Sequence, residues 1–442
     1  MGEAQSNPLA QSTRGVSLIR FAAPSMVMML FMGLYTIVDT FFVARFVNTD
    51  ALSAINIVCP VINLIVGLGT MLASGGSAIV ARKMGRGDTT QARQDFTLIV
   101  LTGLFTGLAI TVLGLLFLEE IVWGLGASER LFPYCQDYLA IQLLFATGNI
   151  MQVLYQNLFV TAGKPGLGLV LSVLAGVANI VLDYLFLVVL QLGIKGAALG
   201  TGIGYMLPVL LGTIFFFTDR SALHFCRPKL DGSVLCKSCS NGVSELVSQL
   251  STAVTTFLFN ATMMKLLGEE GVAAITIILY AQFLLTALTI GFSMGVAPVV
   301  SYHYGSGDRA QLKKIAGICI RCILTVSLFV FLLAFFGGAT IARLFAKENA
   351  AVFAITKAGF SIVAFGFLFS GSNIFASAFL TALSKGKAST AISFSRTFGF
   401  LILFLLVLPK LFQVTGVWLA IPLAELCTLG LTVPLVRHSM KG

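Results

Sequence analysis

Long apolar stretches separated by short polar breaks run through the whole chain. Twelve of them are long enough to cross a bilayer, because about 20 consecutive apolar residues span its hydrocarbon core. In chain order they cover residues 16–42, 52–79, 96–118, 131–161, 167–190, 196–217, 245–267, 273–300, 315–336, 352–383, 388–408 and 417–436. The roughly ten-residue alternation of a membrane β-strand does not occur. The pattern therefore predicts an all-α integral membrane protein with twelve transmembrane helices.

Composition and charge agree with this prediction. Only 10% of the 442 residues are charged and 57% are apolar, whereas roughly 25% are charged in a soluble domain. The net charge of +10 could indicate nucleic acid. With twelve spans, however, nineteen basic residues lie on the side of the termini and seven on the other side. Cytoplasmic loops of membrane proteins carry such an excess of Lys and Arg. We expect a multi-pass protein of the inner (plasma) membrane, with both termini in the cytoplasm and no nucleic-acid partner.

The chain also repeats itself at a displacement of 220 residues. ARKMGRGDTTQAR, from Ala81, returns as SYHYGSGDRAQLK, from Ser301, and DALSAINI, from Asp50, resembles EGVAAITI, from Glu270. Because six spans separate the copies, both halves enter the membrane in the same orientation. This predicts two six-helix lobes, 14–218 and 242–436, related by a pseudo-two-fold axis along the membrane normal and joined by a cytoplasmic linker, 219–241. A cavity between such lobes would open to one side at a time.

Two acidic residues lie deep within predicted spans of the first lobe, Asp39 and Asp183. A charge at this depth costs at least ~2.5 kcal/mol, so its presence indicates a function. Asn179 precedes Asp183 by four residues and shares its helix face, and Ala197 and Thr201 are spaced likewise in the sixth span. Their oxygens suit Na⁺, by analogy with other hard cations, while a proton needs only a carboxylate. Separate helix-packing hydrogen bonds are the alternative interpretation.

The second lobe lacks these acids. The repeat places Leu403 opposite Asp183 and Gly399 opposite Asn179, although Glu425 lies in the last span. We therefore expect the coupling chemistry to lie in the first lobe.

Weaker signals concern the linker and the cavity. Cys236 and Cys239 have a zinc-like spacing, but thiols on a cytoplasmic loop are more often simply reduced. Methionines adapt to varied apolar ligands, although lipid contact explains them equally well. The candidates to line a substrate cavity are Met32, Met263 and Met294, with Asn157 and Asn260.

Several of these motifs together resemble the multidrug and toxic compound extrusion (MATE) family, and most closely its prokaryotic DinF-like and MepA-like branch. The matching segments are Pro24 to Tyr35, Val38-Asp39-Thr40, Thr49 to Leu52, GGSAIVARKMGRGDTTQAR, Asn179 with Leu182-Asp183-Tyr184, the Thr201 region and Arg396 in SFSRTF. The resemblance implies two six-helix lobes and sodium- or proton-driven efflux of amphipathic, often cationic, compounds.

The resemblance also implies roles for single residues. Asp39, Asn179, Asp183 and Thr201 would form the ion site, which could hold Na⁺, with Ala197 contributing through its backbone. Tyr35 would face the substrate cavity.

The leading hypothesis is thus an antiporter that exports drugs or metabolites in exchange for H⁺ or Na⁺. A flippase for lipids or lipid-linked glycans is the alternative within transport, although such flippases usually have more spans and more cationic cavities. A membrane enzyme is not expected, since there are three histidines and no HExxH motif. We expect small-molecule and membrane-lipid partners, no cofactor beyond the coupling ion, and a monomer.

Overall fold

The computed structural model describes residues 8–11, 15–218, 223–345 and 349–441. Within these ranges the chain is almost wholly helical and contains no β-strand. The helices of the first half are α1 (Pro8–Gln11), α2 (Gly15–Phe46), α3 (Thr49–Gly85), α4 (Thr89–Leu116), α5 (Leu118–Gly124), α6 (Phe132–Leu144), α7 (Ala146–Thr161), α8 (Pro165–Asp183) and α9 (Ile194–Thr218), with a π-helical turn at Tyr184–Val189.

The second half continues this arrangement with longer helices. They are α10 (Gly232–Ser306), α11 (Arg309–Phe345), α12 (Ala350–Val363), α13 (Phe367–Ala382), α14 (Gly386–Phe394) and α15 (Ile402–Lys441), with a 3₁₀ turn at Ala364–Gly366 and a π-helical turn at Ser395–Leu401.

Twelve membrane crossings follow once two breaks are recognised. The described residues contain nine helices long and apolar enough to span a membrane, and the pair α6 and α7, bent by 52°, makes a tenth. Gly268 interrupts α10 with φ 66° and ψ −148°, and Gln413 interrupts α15 with φ 50° and ψ −128°. The break at Gly268 divides α10 into two spans. The break at Gln413 separates the eleventh span, which comprises α14, the π-helical turn and residues 402–412, from the twelfth, and the total confirms the predicted twelve.

The segment predicted as a linker is partly helical. Residues 219–222 lie outside the described ranges, residues 223–231 are irregular, and α10 begins at Gly232. Asp231 caps this helix by accepting a hydrogen bond from the Ser233 amide at 2.9 Å. Cys236 and Cys239 therefore lie on the first turns of a helix rather than on a loop.

The two halves meet in symmetric backbone contacts on the side of the membrane where Gly15 and Lys441 lie, here called the terminal side. A methyl group on Gly85 would overlap the Tyr302 carbonyl, and one on Gly305 would overlap the Arg82 carbonyl. Positions 82 and 302, like 85 and 305, are repeat mates, so the two contacts are copies of one another about the pseudo-two-fold axis. The repeated glycines thus close the space between the lobes at this side.

The short helix α1 lies across this closure. Leu9 is completely buried in the main hydrophobic core, and Pro8 packs against Gly163 in the turn between α7 and α8. On the other half of the protein, the His303 imidazole near the end of α10 hydrogen-bonds the Leu9 backbone. The first described residues therefore contact both halves at the terminal side.

Candidate ion-coupling site

Three helices of the first half bring the predicted ion-site residues together. Asp39 lies on α2, Asn179 and Asp183 lie one turn apart at the end of α8, and Ala197 and Thr201 lie on α9. The π-helical turn that begins at Tyr184 follows Asp183 directly. The Asp39 and Asp183 carboxyls face each other within hydrogen-bonding distance, so two residues that are 144 positions apart form one group.

The buried oxygens at this site are short of partners. Asp183 is completely buried and Asn179 is 3% exposed. Among the described residues, no hydrogen-bond donor reaches Oδ1 of Asp39 or either carboxylate oxygen of Asp183, and both polar atoms of the Asn179 amide are also unpaired. Two ionised carboxylates can only accept hydrogen bonds, and burying them unpaired is unfavourable. The arrangement is therefore chemically suited to a cation.

A small cavity lies beside Asn179, one turn from Asp183. Its volume is about 10 Å³, close to the space that one water molecule needs. The side chains and backbone that line it come from four helices and are Tyr35, Gln152, Ala175, Asn179, Thr201, Gly204 and Tyr205. Tyr35, which the sequence analysis assigned to the substrate cavity, thus lies beside Asn179 and Thr201, which it assigned to the ion site.

Either coupling ion fits this donor set. A single proton on one carboxyl would allow the two carboxyls to hydrogen-bond each other. Na⁺ would find carboxylate and amide oxygens of the kind that hard cations prefer. The Ala197 carbonyl, by contrast, already accepts a hydrogen bond from the Thr201 hydroxyl at 3.1 Å.

Gly200 makes room for Asp183. A methyl group at this position would overlap Oδ1 of Asp183, so the close approach of α9 to the carboxylate depends on the missing side chain. The GTGIGY run that begins at Gly200 thus contributes to the candidate ion site as well as to helix packing.

We expect Gly200→Ala to displace the Asp183 carboxyl and to reduce ion-driven transport at least tenfold, because an overpacked site costs about 1–3 kcal/mol. The measurement is transport by the variant in proteoliposomes, with thermal unfolding as the test of folding. Gly166→Ala is the matched control, since nothing lies within 4 Å of an added methyl there. Normal transport by Gly200→Ala would contradict this role.

Some residues at the site were not predicted. Gln152 and Tyr205 line the cavity, and Tyr138 hydrogen-bonds Gln142 near the two aspartates. Tyr205 follows Thr201 by four residues and so shares its helix face, a signal that could have identified it. The glutamines of the fourth span carry no charge, so a search for ionisable residues within spans passes over them.

The predicted substrate-cavity residues lie on α2, α7 and α10. Met32 accepts a hydrogen bond from Gln156 at 3.5 Å, and the Asn157 amide donates to its own helix at Val153. In the second half, Asn260 and Met294 are half-buried. Met263 is completely buried in a core cluster with Phe259 and Ile275. A methionine in an apolar run can face a cavity or a core, and composition does not distinguish them.

The second half contains a different polar group. Arg396 Nε donates to Glu425 Oε1 at 2.7 Å, and the Asn373 amide donates to Glu425 Oε2 at 2.8 Å. Thr432 donates in turn to the Asn373 carbonyl oxygen at 2.9 Å. The Arg396 guanidinium also interacts electrostatically with Glu245. Unlike the Asp39–Asp183 pair, this group carries its own positive charge.

A serine motif within the eighth span resembles a catalytic motif in sequence but not in structure. Gly291-Phe292-Ser293-Met294-Gly295 has the spacing of a hydrolase nucleophile motif, which requires a sharp turn between a strand and a helix. Here it lies inside α10, and the buried Ser293 hydroxyl donates to the Thr289 carbonyl at 2.8 Å. Ser293 is therefore a helix-packing residue.

Comparison with known proteins identifies the family. The MatE family model matches the chain twice, over residues 24–185 and 246–407, once in each half. The chain belongs to the MatE family. Its membership agrees with the resemblance seen in the sequence, and the doubled match agrees with the internal repeat.

Relatives of this MatE-family chain include named export proteins. Multidrug export protein MepA of Staphylococcus saprophyticus is 24% identical over 437 residues, covering 96% of this chain and 94% of the relative. The MepA protein of Staphylococcus haemolyticus is 25% identical over 421 residues, covering 92% and 90%.

Solved structures share the MatE fold over the whole chain. The outward-facing conformation of a multidrug resistance MATE family transporter has a TM-score of 0.91 at 20% identity, covering 100% of this chain and 97% of that one. A MOP superfamily transporter from Pyrococcus furiosus has a TM-score of 0.90 at 20% identity, covering 100% and 98%. These structures establish the architecture of a multi-pass membrane protein with two six-helix lobes.

Proposed function

We propose that this chain exports amphipathic, cationic small molecules from the cell in exchange for protons or sodium ions, by alternating access between its two lobes. The observation that carries the proposal is the contact between the half-buried Asp39 and the fully buried Asp183, whose carboxyls have no neutralising side chain bonded to them among the described residues. The names of the relatives, multidrug export proteins, support transport of drug-like molecules.

The carboxyl pair gives a physical reason why export would be coupled to the binding of a cation. Two like charges at low dielectric repel, so the site favours a bound cation in at least one conformation. Coupling requires that the ion bind one conformation more tightly than the other. The contacts at the site involve α2, α8 and α9, so moving these helices relative to one another would change the affinity for the ion.

The π-helical turn after Asp183 supports such movement. π-Helical turns are rare and are frequently found at functional sites. Conversion of residues 184–189 to α-helical geometry would change the register of the chain beyond Asp183, and hence the relation between α8 and α9. The coupling ion would then bias the first lobe between two arrangements, one of which binds the exported molecule poorly.

The test is transport in proteoliposomes with a fluorescent quaternary ammonium dye. Proton and sodium gradients are imposed separately, and the expected result is dye movement driven by at least one of them, without chemical change to the dye. Gradient-dependent movement of a labelled lipid in place of the dye would contradict the proposal and favour a flippase. Dye movement that is equal with and without either gradient would exclude ion coupling.

A further inference from the structure

A groove in the second lobe lies between α11 and α12, far from the carboxyl pair in the first lobe. Its volume is about 420 Å³, within the range of small-molecule sites. Phe335 and Phe353 form apolar walls, and small residues such as Ala339 leave the space between them. The two helices pack closely at Gly338, where a methyl group would crowd Phe360. Phe360 also lines the groove.

The groove lies in the leaflet opposite the terminal side. α11 begins at Arg309 on the terminal side and ends at Phe345, and α12 returns from Ala350. The lining residues of α12 lie between Phe353 and Ser361, in the first part of the span that begins at Ala350 and ends at Ala382. The groove therefore opens towards the far membrane surface.

Two basic side chains lie at the end of the groove that faces the far membrane surface. Lys357 lines it and is exposed, and Arg343 is exposed with its guanidinium 6.0 Å from the centre of the Phe353 ring. Phe353 and Lys357 are one helical turn apart on α12, so both cations flank the same aromatic ring. No ion pair formed by described residues includes either cation.

The positive charges of Arg343 and Lys357 are unexpected at this place in a membrane protein. Basic residues concentrate on the cytoplasmic side of membrane proteins, whereas Arg343 lies on the side opposite the termini and Lys357 lies within a span. A lysine at membrane depth is unfavourable unless it finds a partner or extends to the interface. An anion at the far surface would satisfy both cations.

From this arrangement we infer that the groove binds one anionic phospholipid from the leaflet opposite the termini. The phosphate contacts Arg343 and Lys357, and an acyl chain lies along Phe335 and Ala339. Ser361, at the deeper end, already donates to the Ala358 carbonyl, so recognition depends on charge and apolar contact. The two positive charges would repel a cationic drug, which separates this site from the proposed transport pathway.

The experiment uses the purified full-length protein in a neutral detergent and counts bound lipid by native mass spectrometry. Phosphatidylglycerol and phosphatidylcholine with identical acyl chains are compared. We expect phosphatidylglycerol to bind preferentially, and Lys357→Gln and Arg343→Gln each to weaken its binding about fivefold, the effect expected of one basic residue near an anionic surface. Lys410→Gln is the control, since Lys410 is exposed on the same side of the membrane.

A steric variant tests the groove separately from its charge. Ala339→Trp should fill the groove and abolish preferential binding while both cations remain, and thermal unfolding of each variant reports whether it is folded. Equal binding of the two lipids would overturn the inference, as would equal weakening by Lys410→Gln, which would indicate general surface charge. Complete competition by soluble glycerol phosphate would also overturn it, because the site would then bind an anion without an acyl chain.

Discussion

Asp183→Asn is expected to reduce gradient-driven efflux to the level of passive leak while the protein still folds and inserts. Asparagine keeps the size and hydrogen-bonding capacity of the side chain but removes the negative charge that would attract the coupling ion. An ion that binds both conformations equally shifts neither, however steep its gradient. Asp39→Asn should have the same effect, because the two carboxyls contact each other. Dye efflux from proteoliposomes under each gradient measures both effects.

The repeat provides a control for this experiment. Leu403 occupies the position that corresponds to Asp183 and is 52% exposed, so Leu403→Met should transport normally. Dye binding in detergent distinguishes loss of coupling from loss of substrate affinity. If Asp183→Asn transports normally under both gradients, the carboxyl pair is structural and the proposed coupling site is wrong.

Arg396→Met is expected to destabilise the protein strongly, because it leaves the buried Glu425 carboxylate without its positive partner. Glu425 is 5% exposed, and removal of one member of a buried ion pair typically costs about 3–5 kcal/mol. The amide of Asn373 would still donate to Glu425 but cannot neutralise it. Thermal unfolding in detergent should show a large decrease in Tm.

A second variant separates charge from packing at this site. Glu425→Gln in the Arg396→Met background removes the unpaired charge, so we expect it to recover part of the lost stability. Arg321→Met is the control, since Arg321 is exposed and donates only to its own helix at Gly317. A Tm of Arg396→Met equal to that of the control would show that the ion pair contributes little.

The sequence was sufficient to predict the number of membrane spans, since hydropathy and the 220-residue repeat can both be read without knowing which helices touch. It did not predict that the seventh and eighth spans, and likewise the eleventh and twelfth, are joined across a single non-helical residue, because the residues around Gly268 and Gln413 also fit a loop. The pairing of Arg396 with Glu425 was likewise missed. Both residues were recognised as lying within spans, but their contact depends on the rotation of two helices about their axes, which residue spacing within one helix does not determine.

Contacts between helices also limited the prediction of the candidate site. Asn179 and Asp183 share a helix face by spacing alone, and that prediction needed no other helix. The contact between Asp39 and Asp183 and the space at Gly200 depend on three helices, so the sequence could only suggest that the acids converge. For Met263 the sequence could not decide between a core and a cavity, because its apolar surroundings are equally consistent with both.

The position of Leu9 has a consequence for biosynthesis. Its backbone hydrogen-bonds His303, and the neighbouring Pro8 contacts Gly163. Both partners leave the ribosome long after Leu9 itself. At 5–20 residues per second, His303 is added about 15 to 60 s after Leu9. During that interval the first six spans are inserted, and α1 lacks its contact with His303. Docking of α1 is therefore a late step in maturation that follows insertion of the eighth span, and the complete terminal-side closure can form only then.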